Sequence, residues 1–188
     1  MTTDTLISIF LGIGLSASVG FRVFVPLFAL SLAAYFDFWE LNESWQWIGS
    51  LVAVVTLGAA TVVEIFGYYI PYIDNVLDSI AIPLATIAGT AVMVSTVADL
   101  SPVITWALAI IAGGGTAAAV AGSSGVTRLA STATTGGLGN PIVSTIETGS
   151  SIIMTIVSLV IPALAFIFVL IILYIVFRIY KKIKRSKV

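Results

Sequence analysis

The chain of 188 residues contains no cysteine and no histidine. These absences exclude disulfides, thiolate nucleophiles and imidazole bases, and they remove the two commonest protein ligands of transition metals. Charge is also scarce, because Asp, Glu, Lys and Arg together make up 9% of the residues. No lysine occurs before position 181. We expect the function to need no metal and no cofactor, and we expect no nucleic-acid partner.

Apolar residues are what the chain has in abundance. Hydrophobic residues make up 59% of the sequence, and the mean hydropathy is +1.15. A water-soluble globule of this size needs more polar surface than such a composition supplies. The composition therefore predicts an integral membrane protein, which we interpret as an all-α, polytopic helix bundle.

About five hydrophobic segments are predicted, since a helix needs about 20 apolar residues to cross a bilayer core. They are residues 5–36, 46–67, 76–97, 103–122 and 150–180. The first and last are too long for one straight crossing. We interpret the first as broken or re-entrant between Gly20 and Pro26, and we expect Pro162 to kink the last. A cleaved signal peptide over residues 1–34 is a weaker alternative, because its start holds Asp4 and no basic residue.

The basic run at the end of the chain predicts the orientation. We divide the chain into one transmembrane domain, residues 1–180, and a basic tail, residues 181–188, that the positive-inside rule places in the cytoplasm. Counting back over the predicted crossings puts residues 68–75 and 123–148 on the outer side. The acidic connector at residues 37–43 then falls on the cytoplasmic side. The side of the N-terminus depends on whether the first segment crosses once or turns back.

The segment between the fourth and fifth hydrophobic blocks, residues 123–148, is unusual for an external loop. It is rich in Ser, Thr and Gly, contains one Arg and one Glu, and follows the glycine-dense stretch AGGGTAAAVAG. We expect it to fold back against the spans, with helical or re-entrant pieces whose hydroxyls and carbonyls line a polar cavity. The glycines have a simpler alternative role, which is to let neighbouring helices pack closely.

Two glycine-rich stretches hint at a weak internal repeat. LGIGLSASVGF at residues 11–21 and AGGGTAAAVAG at residues 112–122 share four residues when aligned, and an arginine follows each, Arg22 and Arg128. If the repeat is real and inverted, a site at the interface of the two halves is the arrangement that many transporters use.

The candidate site rests on charged residues set in apolar sequence. Ionisable groups within spans usually face the bundle interior and pair with one another. Arg22 should therefore be shielded from lipid, with Glu64 as its first predicted partner, Asp78 as the second and Glu147 as the third. Asp74 and Asp78 are four residues apart, hence on one helix face. Capping of a helix N-terminus is the alternative role for Asp74.

Four stretches together resemble the bacterial membrane proteins grouped as domain of unknown function 4126. They are GLSASVGFRVFVPL, VEIFGYYIPYIDNVLDSI, the GGG stretch and GNPIVSTIE. The family typically has a basic residue just before an IPYVD-like stretch, where this chain has Tyr68 and Tyr69. The resemblance implies a bacterial inner-membrane location and no settled activity. The best-matched positions are Gly20, Arg22, Pro26, Glu64, Ile70, Pro71, Asp74, Asp78, Asn140, Pro141 and Glu147. The predicted ion or substrate pathway comprises Arg22, Glu64, Asp74, Asp78, Arg128, Asn140 and Glu147.

Three classes of function remain open. We favour a small transporter or channel that moves an ion or small polar solute through a cavity lined by Arg and carboxylate residues. The alternative is a non-enzymatic assembly, interaction or lipid-binding subunit, in which the same charges clamp helices together. An intramembrane lipid-modifying enzyme is the third, although Ser123–Gly125 lacks the spacing of a nucleophile elbow. We therefore predict that the protein is not an enzyme and has no catalytic residues. Its expected partners are the lipid bilayer and either further copies of itself or other membrane proteins.

Overall fold

The computed structural model describes residues 2–98 and 100–185, and this part of the chain is helical, without strands. A 3₁₀ helix at Glu43–Gly49 precedes α3, and a π-helical stretch at Ala109–Gly114 joins α5 directly to α6. The α-helices are α1 (Thr3–Phe21), α2 (Phe24–Tyr35), α3 (Leu51–Gly67), α4 (Pro71–Thr96), α5 (Pro102–Leu108), α6 (Gly115–Thr135), α7 (Asn140–Val160) and α8 (Pro162–Arg185).

Five helices are long and apolar enough to cross a membrane, which confirms the predicted all-α, polytopic fold. The 3₁₀ helix and α3 form a bent pair, with an angle of 65° between them, that is a sixth candidate span. Helix α2, at 12 residues, is shorter than each of the candidate spans. The five long spans are Thr3–Phe21, Tyr72–Thr96, Pro102–Thr135, Asn140–Val160 and Pro162–Lys182.

The first hydrophobic segment is broken, as predicted. Helix α1 ends at Phe21, Arg22 has extended backbone angles, and α2 begins at Phe24. After the break the chain turns back toward the end of the bundle where α1 began. The connector after α2 shows this, because the Asn42 amide donates to the Ser95 carbonyl and the Ser8 hydroxyl accepts a hydrogen bond from the nearby Ala98 amide.

The last hydrophobic block, predicted as a single kinked segment, is instead a helical hairpin. Helix α7 ends at Val160, and α8 begins at Pro162, whose ring cannot continue a helical hydrogen-bond ladder. Helix α7 is antiparallel to α1, since Ser18 bonds to Ser151, and an added Cβ on Gly14, one turn earlier, would meet Ser158. Helix α8 folds back along α7, because Met154 and Phe168 line one pocket although the turn at residue 161 separates them.

This hairpin overturns the predicted sidedness of the connecting segments. One end of the bundle, which we call the site end, holds Arg22, the turn at residues 68–70, the turn at residues 136–139 and the C-terminal part of α8. The opposite end, which we call the N-terminal end, holds the start of α1 and the acidic connector at residues 37–43. The basic tail and residues 136–139 were predicted on opposite sides, and the structure puts them at the same end. The last three tail residues lie outside the described part of the chain.

The unusual segment at residues 123–148 is almost entirely helical, as the continuation of α6 and the start of α7. The prediction of helical pieces packed against the spans is confirmed, and the prediction of a loop is wrong. Only residues 136–139 turn, beginning at Gly136, whose φ of 64° closes α6 in the left-handed conformation that glycine adopts most readily. The serines and threonines of residues 123–135 are half-buried or exposed, and the hydroxyls of Thr127, Thr134 and Thr135 donate to carbonyls one turn earlier in α6.

The simpler role proposed for the glycines is confirmed at the crossing of α4 and the π-helical stretch. An added Cβ on Gly113 would lie 2.6 Å from the Gly89 carbonyl oxygen, so the two backbones approach too closely for any side chain. Gly20 of α1 similarly lies against Ala117 and Val120 of α6. Helices α1 and α6 both run antiparallel to α4 and hence in the same direction. The two glycine-rich stretches are therefore not related by inversion, and the internal repeat itself stays a prediction.

Candidate functional site

Arg22 is buried at the break between α1 and α2, with 2% of its surface exposed, as the sequence predicted. All of its donors are used. Its Nε donates to the Thr148 hydroxyl, and its Nη1 donates to Glu147 and to the Phe21 carbonyl, each at 3.0 Å. Its Nη2 donates to the carbonyl and the hydroxyl of Ser144. A guanidinium has five N–H groups, so Arg22 has no donor left for a ligand.

Glu147 joins the two buried arginines. Its carboxylate accepts from Arg22 and also from Nε and Nη2 of Arg128. Arg128 in turn donates through Nη1 to Asp74, and the second oxygen of Asp74 accepts from the Asn140 amide at 3.1 Å. Five of the seven predicted pathway residues thus form one continuous network that ties α1, α4, α6 and α7 together.

Glu64, the first predicted partner of Arg22, has a different role. Its two carboxylate oxygens accept from the backbone amides of Val23 and Phe24, at 2.7 and 2.9 Å. These amides open α2, where the first N–H groups of a helix have no partner within the helix. Glu64 therefore caps α2 from another helix, and the preference for it over Glu147 was wrong. Its position in apolar sequence signalled burial but not that its partner is backbone.

Asp74 is also placed differently from its alternative prediction. Helix α4 begins at Pro71 with Ile70 as its cap, so Asp74 lies within the first turn and is not the capping residue. Its carboxylate faces Arg128. Asp78, one turn later, approaches the same guanidinium, with 3.5 Å between Asp78 Oδ1 and Arg128 Nε. The prediction that Asp74 and Asp78 share one face is confirmed.

Tyr68 lies at the centre of the network, where the sequence marked only a departure from the family pattern. The guanidinium carbon of Arg22 lies 3.9 Å from the centroid of the Tyr68 ring, and that of Arg128 lies 4.4 Å from it. Such contacts stabilise a cation through the electron-rich ring face. Burial raises the pKa of the Tyr68 phenol, so the ring stays neutral beside the two arginines.

Asp78 is a carboxylate of the cluster whose side chain is partly exposed and borders a cavity. Its side chain is 28% exposed and accepts no hydrogen bond from the described residues. It lines a cavity of about 50 Å³ together with Arg128, Glu64 and Tyr68, and the deeper wall of this cavity is apolar. A volume of that size accommodates roughly three or four water molecules.

A second and larger cavity lies on the other side of the network. It has a volume of about 260 Å³ and is lined by Asp74, Asn140, Tyr69 and the turn at residues 136–139. Tyr68 lines both cavities, so its ring and the Arg128–Asp74 pair separate the two spaces. Two cavities therefore adjoin the predicted charged residues, and a layer of charged side chains separates them.

Ser144 and Thr148 contact Arg22 but were not among the predicted pathway residues. They belong to a polar stripe along α7, and the spacing of three and four residues is the signal that could have found them. The stripe is buried at Asn140, Ser144, Glu147, Ser151, Thr155 and Ser158. A loop has no such periodicity, so the prediction of a loop over residues 123–148 concealed the first half of the stripe.

The cluster is rich in oxygen ligands but is not arranged around a cation. Among the described residues, no group of three or more acidic side chains is placed to hold a metal ion. Two arginines occupy the space between Asp74, Asp78 and Glu147 instead. The prediction that the function needs no metal stays a prediction.

Comparison with known protein families matches residues 9–182 to the domain of unknown function DUF4126. The chain belongs to this family. The match covers every helix described above apart from the first residues of α1 and the end of α8, and it confirms the resemblance seen in the sequence. No curated protein and no solved structure matches the chain. The description of the DUF4126 family assigns no activity to the buried charges.

Proposed function

We propose that this protein is a small transporter or channel that moves a cation or small polar solute through the divided cavity at its site end. The observation that carries the proposal is that Asp78 lines the inner cavity while three carboxylates, Asp74, Asp78 and Glu147, pair with only two arginines. An excess of buried negative charge needs a positive partner, because an uncompensated charge in a low-dielectric interior is costly.

The side chains whose hydrogen-bonding groups are all used within the protein and those that retain free hydrogen-bonding groups have different proposed roles. Arg22 and Glu147 hold the helices together, since the donors of Arg22 are used entirely within the protein. Asp78, the Tyr68 hydroxyl and the N–H groups that Arg128 retains after its bonds to Asp74 and Glu147 are the groups that contact the solute. A solute that passes between the two cavities displaces the Tyr68 ring, which separates them.

The distribution of charge supports a cytoplasmic site end. The connector at the N-terminal end carries Asp37, Glu40 and Glu43 and no basic residue, whereas the basic run after Arg178 leaves the bundle at the site end. Basic residues are retained on the cytoplasmic side of membranes. We therefore propose a bacterial inner-membrane protein with a cytoplasmic C-terminus, whose charged network lies close to the cytoplasmic surface.

A flux assay in liposomes tests the proposal through Asp78→Asn. This change removes the negative charge of Asp78 from the inner cavity and keeps the side-chain shape, and among the described residues it breaks no hydrogen bond, only the 3.5 Å ion pair with Arg128. We expect cation flux to fall by about tenfold, equivalent to about 1.4 kcal/mol, with little change in thermal stability. Glu40→Gln, an exposed acid at the N-terminal end, is the matched control. Equal flux in wild type and Asp78→Asn would contradict the proposal.

A non-enzymatic assembly or interaction subunit is the second candidate, and the closed Arg22–Glu147 clamp favours it. In that case the wild-type protein conducts no ion above the background of empty liposomes. Loss of the clamp through Arg22→Gln would then weaken association with a membrane partner, measured by co-purification. Neither wild type nor the variant would show ion flux. Self-association into a homo-oligomer stays a prediction under both candidates.

A further inference from the structure

The inner cavity beside Asp78 opens toward the flank of the bundle. Its walls on α1 and α3 are buried apart from Phe21, whereas Asp78 and Ile82 on α4 and Gly125 on α6 are partly or largely exposed. Toward the site end, the layer of charged side chains described above separates it from the larger cavity. The inner cavity therefore opens sideways, between α4 and α6.

Glycine at position 125 keeps this opening free. An added Cβ on Gly125 would meet nothing within 4 Å, although the residue lines the cavity. An added Cβ on Gly122, one turn earlier in α6, would lie 4.0 Å from the Ile82 side chain, in van der Waals contact. The gap between α4 and α6 is therefore wider at Gly125 than at Gly122.

The opening faces lipid, close to one surface of the bilayer. Both helices belong to candidate membrane spans, and the residues around the opening that point outward, Ile82, Val126 and Leu129, are exposed and apolar. The span of α4 has 25 residues and rises about 38 Å, more than a hydrocarbon core of about 30 Å. From Tyr72, where this span starts, to Asp78 the helix rises about 9 Å. Asp78 therefore lies near the level where headgroups meet hydrocarbon.

Asp78 needs a hydrogen-bond donor that the described residues do not supply. Its carboxylate accepts no hydrogen bond from them, and its 3.5 Å ion pair is with the Arg128 Nε, which already donates to Glu147. A carboxylate that faces lipid without a donor is costly. A ligand that arrives from the bilayer and carries both a positive charge and N–H groups would satisfy it.

We propose that the inner cavity binds the primary ammonium headgroup of an aminophospholipid, which enters sideways between α4 and α6 and donates to Asp78. A primary ammonium has three N–H donors, as a lysine side chain does. The quaternary ammonium of a choline headgroup has none. The acyl chains stay in the bilayer, beside the apolar residues around the opening. This inference shares the Asp78 carboxylate with the function proposed above and adds a ligand class and a route of entry that transport does not require.

Selective retention of lipid tests the proposal. The protein is reconstituted into vesicles with equal amounts of phosphatidylethanolamine and phosphatidylcholine that have the same acyl chains. It is then extracted in mild detergent, and its bound lipids are counted by native mass spectrometry. We expect wild type to retain phosphatidylethanolamine about tenfold better, the effect of one hydrogen bond to a charged group. Asp78→Asn should lose most of this preference.

A second variant tests the route of entry. Gly125→Leu places a side chain in the opening, where the backbone has space for the Cβ, and should lose the preference to the same extent as Asp78→Asn. Gly115→Leu is the matched control, because its Cβ also meets nothing within 4 Å and Gly115 does not line the cavity. It should retain lipid as wild type does. Both changes replace glycine with a better helix former, so neither should unfold α6.

Three results would overturn the proposal. Equal retention of the two lipids by wild type would remove the headgroup selectivity. The same preference in Gly125→Leu as in Gly115→Leu would exclude entry between α4 and α6. Tight binding of free ethanolamine to the lipid-free protein, measured by calorimetry, would show that the ligand is a water-soluble amine instead.

The retention assay and the flux assay separate this inference from the proposed function. Lipid retention is measured without an ion gradient, and flux is measured in liposomes of phosphatidylcholine alone. Preferential retention without flux would support the lipid site and contradict transport. Flux together with equal retention of the two lipids would support transport and contradict the lipid site.

Discussion

The Arg22 guanidinium and the Glu147 carboxylate depend on each other, because both are buried and each uses the other to avoid an unpaired charge. Removing one partner of a buried ion pair typically costs about 3 to 5 kcal/mol, whereas removing both costs much less than twice that. Glu64 is different. It bonds to the amides that follow Arg22 and not to its side chain.

A double-mutant cycle distinguishes these two relationships. Arg22→Gln and Glu147→Gln should show a coupling of about 1 to 3 kcal/mol in the free energy of unfolding, measured in detergent micelles. Arg22→Gln and Glu64→Gln should show a smaller coupling, because no hydrogen bond joins the two side chains. A larger coupling of Arg22 with Glu64 than with Glu147 would contradict the observed pairing.

Individual pairings were the least predictable part of the site. Apolar context correctly marked Arg22 and Glu64 as buried, since charges in such sequence are shielded from lipid. Which carboxylate meets which donor depends on how the helices dock. The break after Phe21 leaves the amides of Val23 and Phe24 without helical partners, beside the Arg22 guanidinium. The Glu64 carboxylate accepts hydrogen bonds from these two amides.

At the scale of the elements, the junction of the π-helical stretch with α6 gives opposite predictions for glycines two positions apart. Gly113→Ala would place a Cβ 2.6 Å from the Gly89 carbonyl oxygen, and backbone on both sides prevents easy relief. We expect a loss of about 1 to 3 kcal/mol in the free energy of unfolding.

Gly115→Ala is the control for this prediction. An added Cβ there meets nothing within 4 Å, and alanine favours a helix over glycine by about 1 kcal/mol. Its thermal stability should therefore equal or exceed that of wild type. A similar loss from both substitutions would show that glycine is needed here for the backbone and not for helix packing.

Most of the helices followed from hydrophobic length, but two boundaries did not. The block at residues 103–122 continues as helix to Thr135, although its later half exchanges apolar residues for serine and threonine that are half-buried or exposed. Hydropathy ends the block before them, whereas the buried Arg128 packs this half of α6 against Asp74 and Glu147. The block at residues 150–180 conceals a turn at Ile161, since both helices beside it are apolar and only Pro162 signals the reversal.

At the scale of the whole molecule, the α7–α8 hairpin fixes which segments share a side of the membrane. Single cysteines at Leu138 and Phe38, which are 86% and 78% exposed, test this in a chain without native cysteine. Because the two residues lie at opposite ends of the bundle, a membrane-impermeant thiol reagent should label Phe38→Cys in intact cells and leave Leu138→Cys unlabelled.

A reporter fused to the C-terminus completes the topology test. It should give the cytoplasmic result, on the same side as Leu138. Labelling of Leu138→Cys in intact cells together with a cytoplasmic C-terminus would contradict the hairpin, since the tail and residues 136–139 would then lie on opposite sides.

The short length of α2 also affects the lipid around the protein. Helix α2 extends about 18 Å and its neighbour α3 about 26 Å, both less than the hydrocarbon core of about 30 Å. A bilayer becomes thinner beside an apolar flank that is shorter than its core. We therefore expect thinned lipid on the α2–α3 side of this protein, and a preference for thinner membranes.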